Sequence, residues 1–341
     1  MIPLKKFQGL TVLFVLPLLF YLLQGATYSF ANGAEPNEMT CPQQACKCNQ
    51  NMTKAEASSA TEGNQCASIT SEVCLKNEDW EKLQRAVHET VEKHLVGRKF
   101  LDVYGPLGAG TQCVPLDTYD VPSRGGIDML GEGNQAVHPL KRDIAHIPLI
   151  YKDFWLFYRD IEATKKSETP LDLSAATGAA VAAARSEDDL IFNGSAEMGM
   201  AGLLNVNGRN VLKLSDWSII GNGFQDVVTA VEKLISLGFN GPFALVVSPR
   251  LYAYLNRVYE RTGQLEIRGV QELVKGGVFQ SYLFKKDVAL AVALGRQNLD
   301  LAVGTDFKVE YWGPANLNHR FRVVGTSVLR IKSPQAICTL E

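Results

Sequence analysis

At 341 residues the chain is longer than one small core requires, so a large domain with an appendage, or two domains, is expected. Hydrophobic residues make up 46% and charged residues 21%, the balance of a soluble globular protein rather than a disordered or membrane-embedded one. Net charge is −2, and more negative still without residues 1–31, which hold Lys5 and Lys6 and no acid; such a chain lacks the basic surface that a nucleic-acid lattice needs, so no nucleic-acid partner is expected.

Residues 1–31 open with Lys5 and Lys6, continue through an apolar run at Leu10–Leu23 that Pro17 interrupts, and end in Ser29-Phe30-Ala31. A positive start, a short apolar core and small residues at the end read as a cleavable secretory signal. The run is shorter than the roughly 20 residues a membrane span needs, so no stable anchor is expected after cleavage. Residues 32–76 contain no aromatic side chain and are rich in Ala, Ser, Thr, Asn, Gln and Glu, which predicts a flexible extension. It nevertheless holds Cys41, Cys46, Cys48, Cys66 and Cys74, five of the seven cysteines. In an exported protein, disulfides or cross-links are the first reading, with Cys113 and Cys338 as further candidates between subunits. Cys46-Lys47-Cys48 is not a zinc knuckle, and the C-x-x-C-H of c-type haem is absent, so neither a metal site nor a required cofactor is expected.

A helix is predicted over Glu78–Val96, with Asn77 as N-cap, Glu78 and Asp79 in its first turn, and an apolar stripe of Trp80, Leu83, Val87, Val91 and Leu95. Gly97 is read as its left-handed terminator. Thr111–Ala145 holds a turn-rich tip between two strand-like stretches, which suits a projecting two-stranded arm; such arms are marginal alone, so it is expected to order only on assembly, the alternative being an ordinary surface hairpin. Phe154–Glu162 reads as a short helix and Leu171–Leu190 as a longer one, with seven alanines between Ala175 and Ala184. Helix Gly223–Leu237, strand Phe243–Val247, helix Pro249–Val258 and a turn at Val270–Val274 follow. Strands are then read at Val278–Phe284, Val288–Leu294, Leu299–Val303, Lys308–Trp312, Arg320–Ile331 and Ala336–Leu340. The order is α+β without regular βαβ repeats.

Nothing in the pattern makes an enzyme. His88 and His94 lie six residues apart and do not share a helix face; the second histidine of a zinc-protease helix would fall where Glu92 stands. No G-x-S-x-G elbow occurs, and Gly221-Asn-Gly223 lacks the third glycine of a dinucleotide site. Glu187-Asp188-Asp189 is read as a solvated face. No catalytic residue is assigned.

Four stretches together resemble the encapsulins: "GRKFLDVYGPLGAG" (97–110), "PLIYKDFWLFYRDIE" (148–162), "EDDLIFNGSAEMGMAGLL" (187–204) and "GPFALVVSP" (241–249). The resemblance spans about Asn77–Glu341. It implies the tailed-phage major-capsid (HK97-like) fold: a peripheral domain, an extended loop at about 111–146 and an axial domain at about 204–308, after a signal at 1–31 and an extension at 32–76. The implied function is a homo-oligomeric icosahedral nanocompartment that admits small substrates through pores. Its expected partner is a cargo enzyme, ferritin-like, peroxidase or nitrogen-redox, held by a C-terminal targeting peptide. Carried over residue by residue, Arg98 and Asp102 flanking Phe100, with Val91 and Leu95, border the cargo groove as an exposed clamp. Ser215, Asp216 and Trp217 fall in the pore loop, and Trp155 stands near a flavin position of some members. With the export signal, the compartment is expected in the periplasm or a membrane-bounded organelle such as the anammoxosome. The rival readings are a prophage capsid protein and an exported redox or metal protein using the cysteine tail.

Overall fold

The computed structural model of the protein describes residues 75–119, 125, 127–133, 136–167, 169–259 and 263–341. Residues 1–74, which hold the expected signal and nearly all of the expected extension with Cys41, Cys46, Cys48, Cys66 and Cys74, lie outside them. Helix α1 (Asn77–His94) leads through a single 3-10 turn at Gly97–Lys99 to β1 (Val103–Tyr104). Strands β2 (Cys113–Thr118) and β3 (Lys141–His146) form the arm, and β4 (Leu149–Leu156) returns to the body. Helices α2 (Tyr158–Ser167) and α3 (Ser174–Phe192) follow, then the short pair β5 (Gly194–Ser195) and β6 (Met200–Ala201). Next come β7 (Asn210–Leu212), α4 (Asn222–Ser236), β8 (Phe243–Val247), α5 (Pro249–Leu255) and α6 (Glu266–Leu273). The chain closes with β9 (Val278–Gln280), β10 (Ala289–Ala293), β11 (Leu299–Ala315), β12 (Asn318–Ile331) and β13 (Ile337–Leu340).

Two sheets organise the body. The first is four-stranded, in the order β1-β11-β12-β4, with α1 and α3 packed on one face through Leu83, Val87, Val91 and the alanines of α3. Those alanines are what let two helices and a sheet approach so closely: Ala176, Ala180, Ala183 and Ala184 have no exposed surface. The second sheet is five-stranded, β7-β13-β10-β8-β9. Its strands are apolar throughout because both faces are covered. Phe243, Leu245 and Val247 meet α4, α5 and α6, whereas Ala244 and Val246 meet Phe192, Leu301 and Ile337 in the layer that joins the two sheets.

Several expectations change. Phe154–Glu162 is not one helix: β4 runs to Leu156, pairing with β12 from Leu149↔Thr326 to Leu156↔His319, and α2 begins only at Tyr158. Ile150, Phe154 and Leu156 are buried at even spacing, the two-residue period of a strand, which only exposed Lys152 interrupts. Leu299–Val303 and Lys308–Trp312 are parts of one strand, because bulges near Val303, Thr305 and Tyr311 shift the register and hide its continuity. The boundary read near 308 falls before Leu299, since β11 belongs wholly to the first sheet while β13 returns to the second. Lys76, not Asn77, occupies the N-cap of α1.

Gly97 is needed for space rather than for a left-handed turn. The helix is capped by Leu95 in extended conformation, and a Cβ on Gly97 would stand 2.5 Å from Ile191 Cδ1 on α3. Gly97→Ala is therefore expected to cost about 1–3 kcal/mol through overpacking, read as a lower thermal midpoint; an unchanged midpoint contradicts this packing.

Candidate functional site

The corner after α1 carries the most densely bonded charges of the body. Asp188 on α3, 2% exposed, accepts the backbone N–H groups of Val96 at 2.8 Å and Gly97 at 2.9 Å. Its neighbour Glu187, 1% exposed, receives the fork of Arg98: Nε to Oε1 at 2.6 Å and Nη2 to Oε2 at 2.8 Å. Ser327 Oγ on β12 donates to the same Oε2 at 2.8 Å, and Arg98 Nη1 reaches Asp306 Oδ1 on β11 at 2.7 Å. Burial works against the Arg98 charge, but its bonds and attraction to Glu187 and then Asp306 outweigh it and hold the guanidinium firmly protonated. For Asp188 burial wins over the two N–H bonds, and its carboxyl is pushed up to about 6.

Around this corner α1 offers a groove of about 240 Å³ lined by His88, Val91, Glu92, Leu95, Arg98, Lys99 and Asp306. Val91 and Leu95, each 2% exposed, make an apolar floor, and His88 pairs with Glu92 at 3.3 Å along the rim. Three of the five residues expected here, Val91, Leu95 and Arg98, do share the groove. The other two do not. Phe100 is buried at the joint of the two sheets, its ring 5.7 Å from that of Phe279 and 6.3 Å from that of Phe192. Asp102 is exposed and uses its backbone carbonyl, accepting from Leu301 N–H at 2.9 Å. The exposed Arg98–Asp102 clamp around Phe100 is thus corrected: Arg98 is turned inward to Glu187 and Asp306.

Glu187 and Asp188 were not legible as anchors because three adjacent acids suggest a wet face. The overlooked signal is their spacing. Ala176, Ala179, Ala180, Ala183 and Ala184 set a buried stripe, and Glu187, Asp188 and Ile191 continue it. Only Asp189 of the three acids faces water.

The loop Leu214–Gly221 keeps Asp216 exposed but turns its neighbours in. Trp217 is 2% exposed and donates Nε1–H to Asp226 Oδ2 at 2.8 Å, the oxygen that also takes Ser215 N–H at 2.9 Å and Ser215 Oγ at 2.8 Å. Arg257 donates to the carbonyls of Trp217 and Ser218. Trp217 is therefore a core residue and not a pore-lining one, and Ser215 is spent on holding the loop. Cys338 lies inside the five-stranded sheet, where burial pushes its thiol up to about 11; a cross-link through it is corrected on that ground. Cys113 is exposed at the root of the arm. Among the described residues no group of three or more His, Cys, Asp or Glu could hold a metal ion, and no helix is long and apolar enough to cross a membrane.

Two predictions follow from the buried charges. Arg98→Ala leaves Glu187 unpaired and is expected to cost about 3–5 kcal/mol in chemical unfolding; a change within the scatter of surface substitutions contradicts the pairing. Asp188 binds its proton more tightly folded than unfolded, so its contribution to stability rises as pH falls from above about 6 towards the ordinary carboxylate value of 3.8. The difference in stability between the wild type and Asp188→Asn should change with pH across that window, and a difference that is flat in pH contradicts the assignment.

Residues 71–328 match the family Linocin_M18, described as encapsulating protein for peroxidase. A diheme-cytochrome-encapsulin shell fusion protein of Kuenenia stuttgartiensis is 62% identical over 99% of this chain and 98% of its own. The type 1 encapsulin shell protein EncA of Myxococcus xanthus is 48% identical over 78% of this chain and 93% of its own. Among solved structures, the virus-like particle of Pyrococcus furiosus superposes with TM-score 0.63 at 25% identity, over 77% of this chain and 100% of that one. The capsid of the myophage XM1 shares the fold with TM-score 0.53 at 13% identity, over 72% and 90%. One expectation is overturned here. A shell requiring no cofactor, with flavin near Trp155 as the one possibility, does not stand beside a relative of this similarity that is named for a diheme cytochrome; the pointer is to haem. The fold is the α+β, HK97-like one of phage capsids, and the chain belongs to the encapsulin family as a shell subunit of a nanocompartment that encloses cargo.

Proposed function

We propose that the shell is icosahedral, that the α1 groove faces its interior, and that a cargo enzyme is held there by a peptide at its C-terminus. The observation that carries this is the groove itself: an apolar floor of Val91 and Leu95 beside an Arg98 that is already fixed by Glu187 and Asp306. A floor of that size suits an aliphatic side chain or two, and a rim that is ordered beforehand lowers the cost of binding a flexible tail. The groove residues include no hydroxyl or thiol nucleophile, so chemistry is assigned to the cargo and confinement to the shell.

The family description names a peroxidase and one relative a diheme cytochrome, which favours redox cargo: a peroxidase, a ferritin-like iron store or a nitrogen-redox enzyme. Residues 1–31 would export the chain, so that the shell closes in the periplasm or in an organelle such as the anammoxosome. Haem, to which the relative points, would be expected on the cysteine-bearing extension. The residues there do not fit covalent c-type attachment: none of the five cysteines is followed by histidine, and no histidine precedes His88.

The groove is tested by filling it. His88→Trp with Lys99→Trp places bulk over the floor from two exposed positions and leaves the core untouched. Cargo recovered per shell after co-expression is expected to fall by about tenfold, equivalent to about 1.4 kcal/mol of peptide affinity. Shells that assemble normally and carry undiminished cargo contradict the groove.

A further inference from the structure

The first sheet carries α1 and α3 on one face and leaves the other open around Tyr151, Trp155 and Trp312, which are 53%, 40% and 51% exposed. A string of aromatic rings runs through the covered layer. Trp80 on α1, half-buried, lies 6.0 Å from Phe321 on β12, centre to centre, and Phe321 lies 5.2 Å from Tyr311 on β11. Phe154 of β4 stacks on the same Phe321 at 5.4 Å. The string ends on a polar pair, with the Tyr311 hydroxyl 2.8 Å from Nδ1 of His319. Burial foremost, and then the Lys165 ammonium, hold His319 below its ordinary value, so at neutral pH its ring is uncharged and keeps a basic nitrogen. With the ring hydrogen on Nε2, Nδ1 accepts the phenol O–H.

Indole and phenol side chains can give up an electron; phenylalanine cannot at comparable cost. A phenol that loses an electron becomes a strong acid and must shed its proton, so a base already bonded to it makes the loss easier. Tyr311 has such a base in His319. The rings of the open face are placed in the opposite sense. There the Arg322 guanidinium carbon lies 3.6 Å from the ring centre of Trp312 and 4.1 Å from that of Tyr151. A positive charge against a ring opposes removal of an electron from it. Electron loss is thus favoured at Tyr311 over Trp80 behind it and over Trp312 beyond it.

We infer that Tyr311 is a redox-active tyrosine, which fills an electron hole opened at Trp80 by a radical one-electron oxidant and passes its phenol proton to His319. With carbonate radical as the oxidant, Trp80 gives up one electron and the radical becomes carbonate. Tyr311 returns that electron to Trp80 through the contact with Phe321. The Tyr311 O–H bond breaks, an N–H bond forms on Nδ1, and a neutral tyrosyl radical faces a histidinium. A one-electron reductant of the ascorbate class reverses this: its electron goes to the tyrosyl oxygen and the proton comes back from Nδ1. The sole tryptophan of α1, the helix that carries the groove, is thereby spared permanent oxidation. The relay lies within one chain and needs no shell, so it stands apart from the compartment reading. Full-length chain is flashed with tris(bipyridine)ruthenium and a cobalt(III) pentaammine quencher, which make a one-electron oxidant in place, then frozen for electron paramagnetic resonance. Among the eleven tyrosines, Tyr311→Phe assigns the signal. The neutral tyrosyl signal is expected to fall several-fold in that variant, while oxidised Trp80, read by mass spectrometry, rises several-fold. His319→Phe keeps the phenol and removes its base, and should also lower the tyrosyl yield several-fold. A signal undiminished by Tyr311→Phe, or Trp80 oxidised no more than in the wild type, overturns the relay; a yield unchanged by His319→Phe overturns the proton transfer. Trp80→Phe reads the route from its other end, and a Tyr311 radical formed at full yield without the indole counts against it.

Discussion

Two carboxylates at the end of a buried helix hold the body together. Glu187 and Asp188 sit almost without solvent where α3 meets the first sheet. One grips the guanidinium of Arg98 and the hydroxyl of Ser327; the other grips two consecutive backbone N–H groups. Buried charges are tolerable only when their bonding is this complete. The consequence is directional. The corner that ends α1 is locked to α3, to β11 through Asp306 and to β12 through Ser327, so the groove along α1 is a rigid depression rather than a gap between loosely packed helices.

That rigidity links folding to function. A shell subunit must present the same surfaces in every copy, and a groove that accepts a peptide tail binds it better if it need not be shaped first. The same fold leaves the arm and the open sheet face with apolar surface that a lone chain does not cover, and the long β11–β12 pair carries that face outward to the Asn316-Leu317 turn, where both residues adopt left-handed backbone angles. Stability is thus concentrated around α3 and in the five-stranded sheet, while surface left over for other copies is concentrated on strands.

How much was legible in the sequence depended on whether a signal was local. The apolar stripe of α1, the alanines of α3 and the runs Phe243–Val247 and Ala289–Ala293 declare their structure by composition and period, and all four form the elements expected of them. The β11 strand did not, because bulges shift its alternation. Phe100 and Trp217 were misread for a different reason: each lies in a motif that suggests surface function, while its side chain fills space that only the tertiary fold creates. Of the groove, the floor residues and Arg98 could be read from the helix period and the resemblance. The pairing of His88 with Glu92 was available in the same helix period, at i,i+4, whereas Asp306 was not, since it reaches the groove only because β11 passes beside α1.

The most direct test of the account is a cryo-electron-microscopy map of particles purified from cells that express the chain with its cargo. The account predicts closed shells with α1 on the inner wall and peptide density over Val91 and Leu95. Open or small oligomers, or closed shells in which that groove faces outward or is covered by a neighbouring subunit, would contradict it.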